Sequence, residues 1–333
     1  MKLFLSHAGI GEVTGGVEVY AQHLASAFPD LKLVDYHSIK SELGDTWNPL
    51  VREPERARLL GEHVSQKFPD AEAVFTNGMF CWNLPHKNQF NIIHGTYAAF
   101  AQSAMPKTNP DYWRLKFVYN NFEKKAAQNA GVCVANSRQT QGNAKKFLGI
   151  DAKIIYPPVD PLVFKPDGQK KCAEKLGWSG TNILFVGRPE HAKGFDLIEG
   201  LAEKNPGCNF KCLLSRPYST NQKNIEVIPA VGHASLPLYY NAADAVLFPS
   251  LFEGFGLVIA EALSCGKKIV CLNTGIANEL DSGNIFRAKP SIPSLDSTLK
   301  SCLRAKEQDS HALVKEKFST KNFTRKWKSL LGQ

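Results

Sequence analysis

The chain has 333 residues, with 40 Lys and Arg against 31 Asp and Glu, a formal charge of +9, and 43% hydrophobic and 21% charged residues. This is globular usage and excludes a disordered chain or a coiled coil, while the length predicts two domains at about 150 residues each. No apolar run approaches the ~18 residues of a membrane span, and the 25 Gly and 19 Pro follow no triplet period.

From the N-terminus, Met1-Lys2-Leu3-Phe4-Leu5-Ser6-His7 is too short for a signal-peptide core and reads as a first buried strand. The expected compartment is therefore the cytoplasm. The first strand candidate spans Lys2–Ser6, and short β-branched or aromatic runs follow at Leu31–Asp35, Glu72–Thr76, Phe90–His94, Gly131–Ala135 and Lys153–Tyr156. Amphipathic stretches near 16–28, 54–67, 111–129 and 138–148 alternate with them. Tyr156-Pro157-Pro158-Val159-Asp160-Pro161 cannot continue a helix or a central strand and marks a domain boundary.

The second half repeats the grammar. Strands are expected at Asn182–Gly187, Asn209–Leu214, Ile225–Pro229, Asp244–Pro249 and Lys267–Leu272, and helices near 195–203, 235–242, 255–264 and 293–305. Continuous apolar runs such as Ile183-Leu184-Phe185-Val186 are what a parallel sheet buried on both faces requires. The alternation predicts an α/β fold of two doubly wound, Rossmann-like domains. A last helix follows Phe318-Ser319-Thr320, with Phe323, Trp327, Leu330 and Leu331 on one face.

Charge is local rather than uniform. Residues 114–153 carry eight basic side chains against Glu123 and Asp151, and residues 300–333 carry nine against three. No nucleic-acid-binding motif accompanies them, so nucleic acid is not an expected partner. Solvated helix faces account for most such charge, and contact with an anionic membrane through the basic helices is the functional alternative. The eight cysteines form no C-x-x-C pair and read as free thiols in a reducing compartment.

Two loops concentrate the chemistry. Pro249-Ser250-Leu251-Phe252-Glu253-Gly254-Phe255-Gly256-Leu257 joins a buried strand to a helix that carries Glu261. Glycines at 254 and 256 let backbone N–H groups approach an anion at the helix N-terminus. Glu253 caps the helix in the plain reading; in the other, Glu253 and Glu261 hold sugar and ribose hydroxyls. Glu261 among Ile259, Ala260, Ala262 and Leu263 is costly without partners. The loop Gly187-Arg188-Pro189-Glu190-His191-Ala192-Lys193-Gly194 offers a fork-shaped donor and a point charge suited to a diphosphate.

On these motifs the chain resembles the GT-B-fold retaining glycosyltransferases of the large group 1 family (family 4 type). Glu253 and Glu261 match its pair of Glu separated by seven residues, and Arg188 and Lys193 its Arg-x-x-x-x-Lys pair. Gly15-Gly16, Asn136-Ser137 and the stretch from Gly275 to Glu279 match as well. The resemblance implies two Rossmann-like domains facing a central cleft: 1–160 on the acceptor side, 161–318 binding the nucleotide sugar, and 319–333 returning as a helix to the first domain.

It also implies roles. Arg188 and Lys193 would neutralise the leaving diphosphate, Glu253 would hold the transferred sugar and Glu261 the ribose. Phe255, Gly256 and Leu257 would complete the cradle, and Gly15 and Gly16 would close on the phosphates. His94 would face the reacting sugar; its plain reading is a structural histidine at a strand end. The expected donor is a UDP- or GDP-hexose, with no cofactor and no metal, because no Asp-x-Asp dyad stands at a strand end. The expected acceptor is a hydroxyl of a glycan or a lipid-linked molecule.

Charge develops on the leaving phosphate as the anomeric carbon becomes oxocarbenium-like, so fixed cations there strengthen in the transition state. No residue is a convincing covalent nucleophile, which favours front-side transfer with retention. One departure concerns the base: Ser215-Arg216-Pro217-Tyr218 replaces the family's Gly-x-Gly, and Arg216 becomes a candidate base contact. Alternatives are a nucleotide-sugar epimerase, a phosphorylase, or a non-catalytic nucleotide- or carbohydrate-binding homologue.

Overall fold

The computed structural model describes residues 1–6, 15–43, 48, 50–80, 82–84 and 88–332. His7 and Cys81 lie outside them. The chain divides into two units, one of residues Met1–Pro157 with Phe323–Gln333 and one of Pro158–Asn322.

The first unit holds a six-stranded parallel sheet in the order β2-β1-β3-β4-β5-β6. Its strands are β1 Lys2–Ser6, β2 Leu31–Asp35, β3 Ala73–Asn77, β4 Gln89–Ile93, β5 Val132–Ala135 and β6 Lys153–Ile154. Every residue of β1 and β4 is buried, as strands covered by helices on both faces must be. Aromatics dominate one layer, where Phe4, Tyr20, Phe28, Phe75 and Phe90 pack with Phe323 and Trp327 from the helix Thr320–Leu330. Trp327 is fully buried, edge-on to Phe75 at 5.2 Å, and its Nε1–H donates to Tyr20 OH at 3.1 Å.

The second unit holds the sheet β12-β11-β10-β7-β8-β9, also parallel. Its strands are β7 Thr181–Gly187, β8 Cys208–Leu214, β9 Ile225–Pro229, β10 Ala245–Phe248, β11 Ile269–Leu272 and β12 Ile285–Ala288. The chain runs outward from β7 through β8 and β9, then returns to the other side of β7 with β10 and continues to β11 and β12. The order therefore reverses between β7 and β10. Ligands of open α/β sheets bind outside the carboxyl ends of the strands at such a reversal. Here those ends lead into the loops after Gly187 and after Phe248.

The seven described cysteines are all free thiols. Burial pushes Cys212 and Cys271 up to about 12, so both stay protonated in the core. Among the described residues no helix is long and apolar enough to cross a membrane.

Candidate functional site

The two loops at the reversal are joined by backbone and side-chain bonds. Leu251 N–H donates to Ala192 O at 2.9 Å, and Ser250 Oγ stands 3.2 Å from the same carbonyl. Gly194 has φ +66°, and a Cβ there would lie 2.1 Å from Pro249 O. Only glycine fits this crossing of backbones. A third loop, after β11, closes in the same way. Ile276 N–H donates to Phe255 O at 2.8 Å, and a Cβ on Gly275 would meet that oxygen at 2.2 Å.

This scaffold brings Lys193 and Glu253 together across sixty residues of sequence: Nζ lies 2.6 Å from Oε1, and the carboxylate is only 12% exposed. Ser250 Oγ donates to the same Oε1 at 2.7 Å. A loop cation and the Glu253 carboxylate are thus one preorganised pair, and it is Gly256 rather than Glu253 that caps the helix. Arg188 is turned to Glu190, with Nε 3.3 Å from Oε2, and Arg216 reaches the other oxygen of Glu190 at 3.2 Å. Glu190 thereby sets two guanidinium groups side by side, and both are more than half exposed.

Phe255 is buried edge-on to Phe318, ring centroids 5.2 Å apart. Gly256, at φ +90°, caps the helix Leu257–Ser264. Helical geometry leaves the first-turn N–H groups, Leu257 among them, without intrahelical acceptors. Glu261, one turn in, is buried and both its oxygens are bonded: His233 Nε2 stands 2.7 Å from Oε1, and Tyr240 OH donates to Oε2 at 2.7 Å. These are the partners that a carboxylate in so apolar a helix needs.

In the first unit Gly15 caps the helix Gly16–Ala27, and its N–H donates to Glu18 Oε2 at 3.0 Å. A carboxylate of the helix itself therefore occupies the amide expected to meet phosphate. His94 follows β4, its ring edge-on to Tyr20 at 5.0 Å. Its Nε2 is buried without a hydrogen-bond partner among the described residues, and burial lowers its pKa to about 4. The ring is neutral at physiological pH. Asn136 Nδ2 donates to His94 O at 3.3 Å, and Ser137 caps the next helix by accepting Thr140 N–H at 2.9 Å.

Four side chains of this arrangement had no role in the sequence reading: Glu190, His233, Tyr240 and Glu123. Glu123 is buried, accepts Tyr97 N–H at 2.8 Å, and so holds the helix Tyr97–Ala104 just beyond His94. Burial pushes its carboxyl up to about 8. The signal was a glutamate on a helix face shared with Ala126 and Ala127.

Residues 174–284 match the family described as Glycosyl transferases group 1. A D-inositol 3-phosphate glycosyltransferase of Segniliparus rotundus is 30% identical over 165 residues, covering 43% of this chain and 37% of that protein. The Mycobacterium ulcerans protein of the same name is 26% identical over 252 residues, covering 62% and 54%. The chain thus spans about a third to a half of the length of these curated relatives. Among solved structures, sucrose-phosphate synthase of Thermosynechococcus elongatus superposes with a TM-score of 0.78 at 14% identity, covering 99% and 98%. Anabaena Alr3699/HepE, solved with UDP and glucose, gives 0.75 at 18%, covering 100% and 99%. These likenesses establish the GT-B fold. The two loops at the sheet reversal lie inside the matched segment, so over residues 174–284 the chain is similar to the glycosyl transferases group 1 family.

Proposed function

We propose that the protein is a retaining glycosyltransferase that moves a hexose from a nucleoside diphosphate sugar to an acceptor hydroxyl without a metal ion. The observation that carries this is the meeting of Lys193 with Glu253 at the sheet reversal, with Arg188 in the same loop. In the reading, the diphosphate lies against Arg188, Lys193 and the N-terminus of the helix Leu257–Ser264. As the glycosidic bond breaks, charge grows on the leaving phosphate, and these groups stabilise it without reorganising. Glu253 orients the sugar and keeps the Lys193 ammonium in place until the phosphate arrives. The departing phosphate takes the acceptor proton on the same face, which gives retention. Glu261 accepts from the ribose, and Arg216 stands toward the base. UDP is the first nucleotide to test, since the Anabaena structure was solved with it.

A thermal-shift panel of UDP-, GDP- and ADP-sugars checks the reading. One nucleotide class should raise the Tm, since a ligand at 100 times its Kd adds about 2.7 kcal/mol. The shift should persist in excess chelator. No shift with any donor, or one abolished by chelator and restored by Mg²⁺ or Mn²⁺, would contradict it.

For the acceptor side we favour a hydroxyl presented at an anionic lipid surface. Trp113 and Phe117 are 48% and 58% exposed, their rings parallel within 5° and 5.7 Å apart, and Lys116 Nζ lies over both. Exposed Lys107 and Lys124 flank them. Interfacial aromatics beside lysines suit a lipid headgroup layer. Sedimentation with phosphatidylglycerol vesicles should exceed that with phosphatidylcholine, and Trp113→Ser with Phe117→Ser should abolish it. Equal sedimentation by wild type and variant would rule the patch out.

A further inference from the structure

The two oxygens of Glu261 are not held alike. Oε2 bonds the hydroxyl of Tyr240, which is fully buried on the helix Leu236–Ala242. Oε1 faces His233, which opens the short turn His233–Ser235, has a side chain 35% exposed, and rests its ring on Phe164 at 5.0 Å. One oxygen is fixed by the core; the other is covered by a side chain that solvent reaches. Oε1 is thus the oxygen at which an incoming ribose hydroxyl would take the place of His233.

We infer that His233 is a gate on the ribose subsite, closing Oε1 of Glu261 in the empty protein and yielding it to the nucleotide's ribose hydroxyls. This rests on the reading of Glu261 as the ribose acceptor. The gate is also charge-sensitive. The Glu261 carboxylate raises the His233 pKa above its ordinary 6.5 against the opposing effect of burial. Glu261 is the one charged group acting on His233 among the described residues, and Phe164 faces it without charge. Tyr240 and Cys265 face the same carboxylate and are held protonated by burial and by that charge. Beyond Cys265, Lys267 is paired with Glu307 at 2.6 Å.

A raised folded-state pKa means the ion pair stabilises the fold fully below about 6.5, and the contribution is lost as pH rises through the raised value. Ligand affinity moves the other way. An imidazolium bound to Glu261 must be displaced at acid pH, whereas a neutral ring yields readily.

The test is calorimetric titration of the full chain with UDP, from about pH 5.5 to about pH 8.5, in buffers of differing ionisation enthalpy. The terminal phosphate of UDP titrates equally for every variant, so the readout is the difference between wild type and His233→Ala. Wild-type affinity should rise severalfold more than the variant's across this range. Wild type should also release more protons on binding near neutrality. The 2′-deoxy analogue of UDP, with fewer hydroxyls to displace His233, should bind wild type more weakly. A His233→Ala protein with the wild-type slope and proton count would overturn the gate while leaving the ribose reading intact. A Glu261→Gln protein that binds UDP as wild type does would overturn the ribose reading itself. Failure of UDP, GDP and ADP alike to bind at any pH would overturn both.

Discussion

Lys193→Ala is expected to lower kcat/KM by roughly 10²–10³-fold, the usual cost of removing one preorganised donor from a developing oxyanion. The effect on folding is smaller but not zero. Considered in sequence alone, Lys193 is a loop cation beside Gly194 whose loss leaves no cavity. The structure adds that the lost ammonium is the partner of a largely buried carboxylate. Glu253 would keep Ser250 as a donor, so the destabilisation should be about 1–2 kcal/mol. Steady-state kinetics beside urea unfolding separates the two effects. Near-wild-type turnover at saturating donor would remove Lys193 from the mechanism, and a large loss of stability with a proportionate loss of activity would make the pair structural.

The second large effect concerns the end of the chain. Trp327 is wholly buried among Tyr20, Phe75, Phe90 and Phe323, every ring pair edge-on or nearly so. Trp327→Ala should destabilise the first unit by about 3–5 kcal/mol, the range for deleting a buried aromatic. It also leaves the buried Tyr20 hydroxyl without its indole donor. Since whole domains are stable by about 5–15 kcal/mol, removing residues 319–333 should unfold much of that unit although it deletes no candidate site residue. Trp327→Phe, which keeps a ring and loses the N–H, should fall between wild type and alanine. An unchanged urea midpoint for Trp327→Ala would show that the helix contributes little.

Most strands were legible because continuous apolar runs bounded by turn residues have few other readings. β1, β2 and β9 carry the expected bounds, and most others differ by one or two residues at an end. β12 was not anticipated: at the sheet edge, four residues with an exposed Arg287 show neither alternation nor a full apolar run. Four helices were missed for different reasons. Tyr97–Ala104 is alanine-rich and nearly without polar residues, so it has little amphipathic signal, although Thr96 caps it by accepting Ala99 N–H at 3.2 Å. Gln169–Leu176 lies between Gly168 and a left-handed Gly177 at φ +66°, punctuation that was readable and unused. Tyr36–Leu43 and His311–Lys317 are short and largely polar, and tertiary packing rather than propensity settles them.

The candidate site was legible as loops and illegible as pairs. A buried strand followed by a glycine-bearing turn identifies a strand-to-helix loop wherever it occurs. No spacing rule connects Lys193 to Glu253, Glu190 to both Arg188 and Arg216, or His233 to Glu261. Those meetings follow from β7 lying between β10 and β8 and from the helices that follow these strands. The Glu18 contact with Gly15 is likewise local geometry that a Gly-Gly pair does not announce.

A crystal structure of the full chain with a bound nucleoside diphosphate sugar tests the central claim most directly. The account places the diphosphate within hydrogen-bond reach of Arg188 and Lys193, the sugar on Glu253, and the ribose on Glu261 with His233 turned away. A donor bound elsewhere, or one whose phosphates stand clear of both cations while Lys193 remains on Glu253, would contradict it.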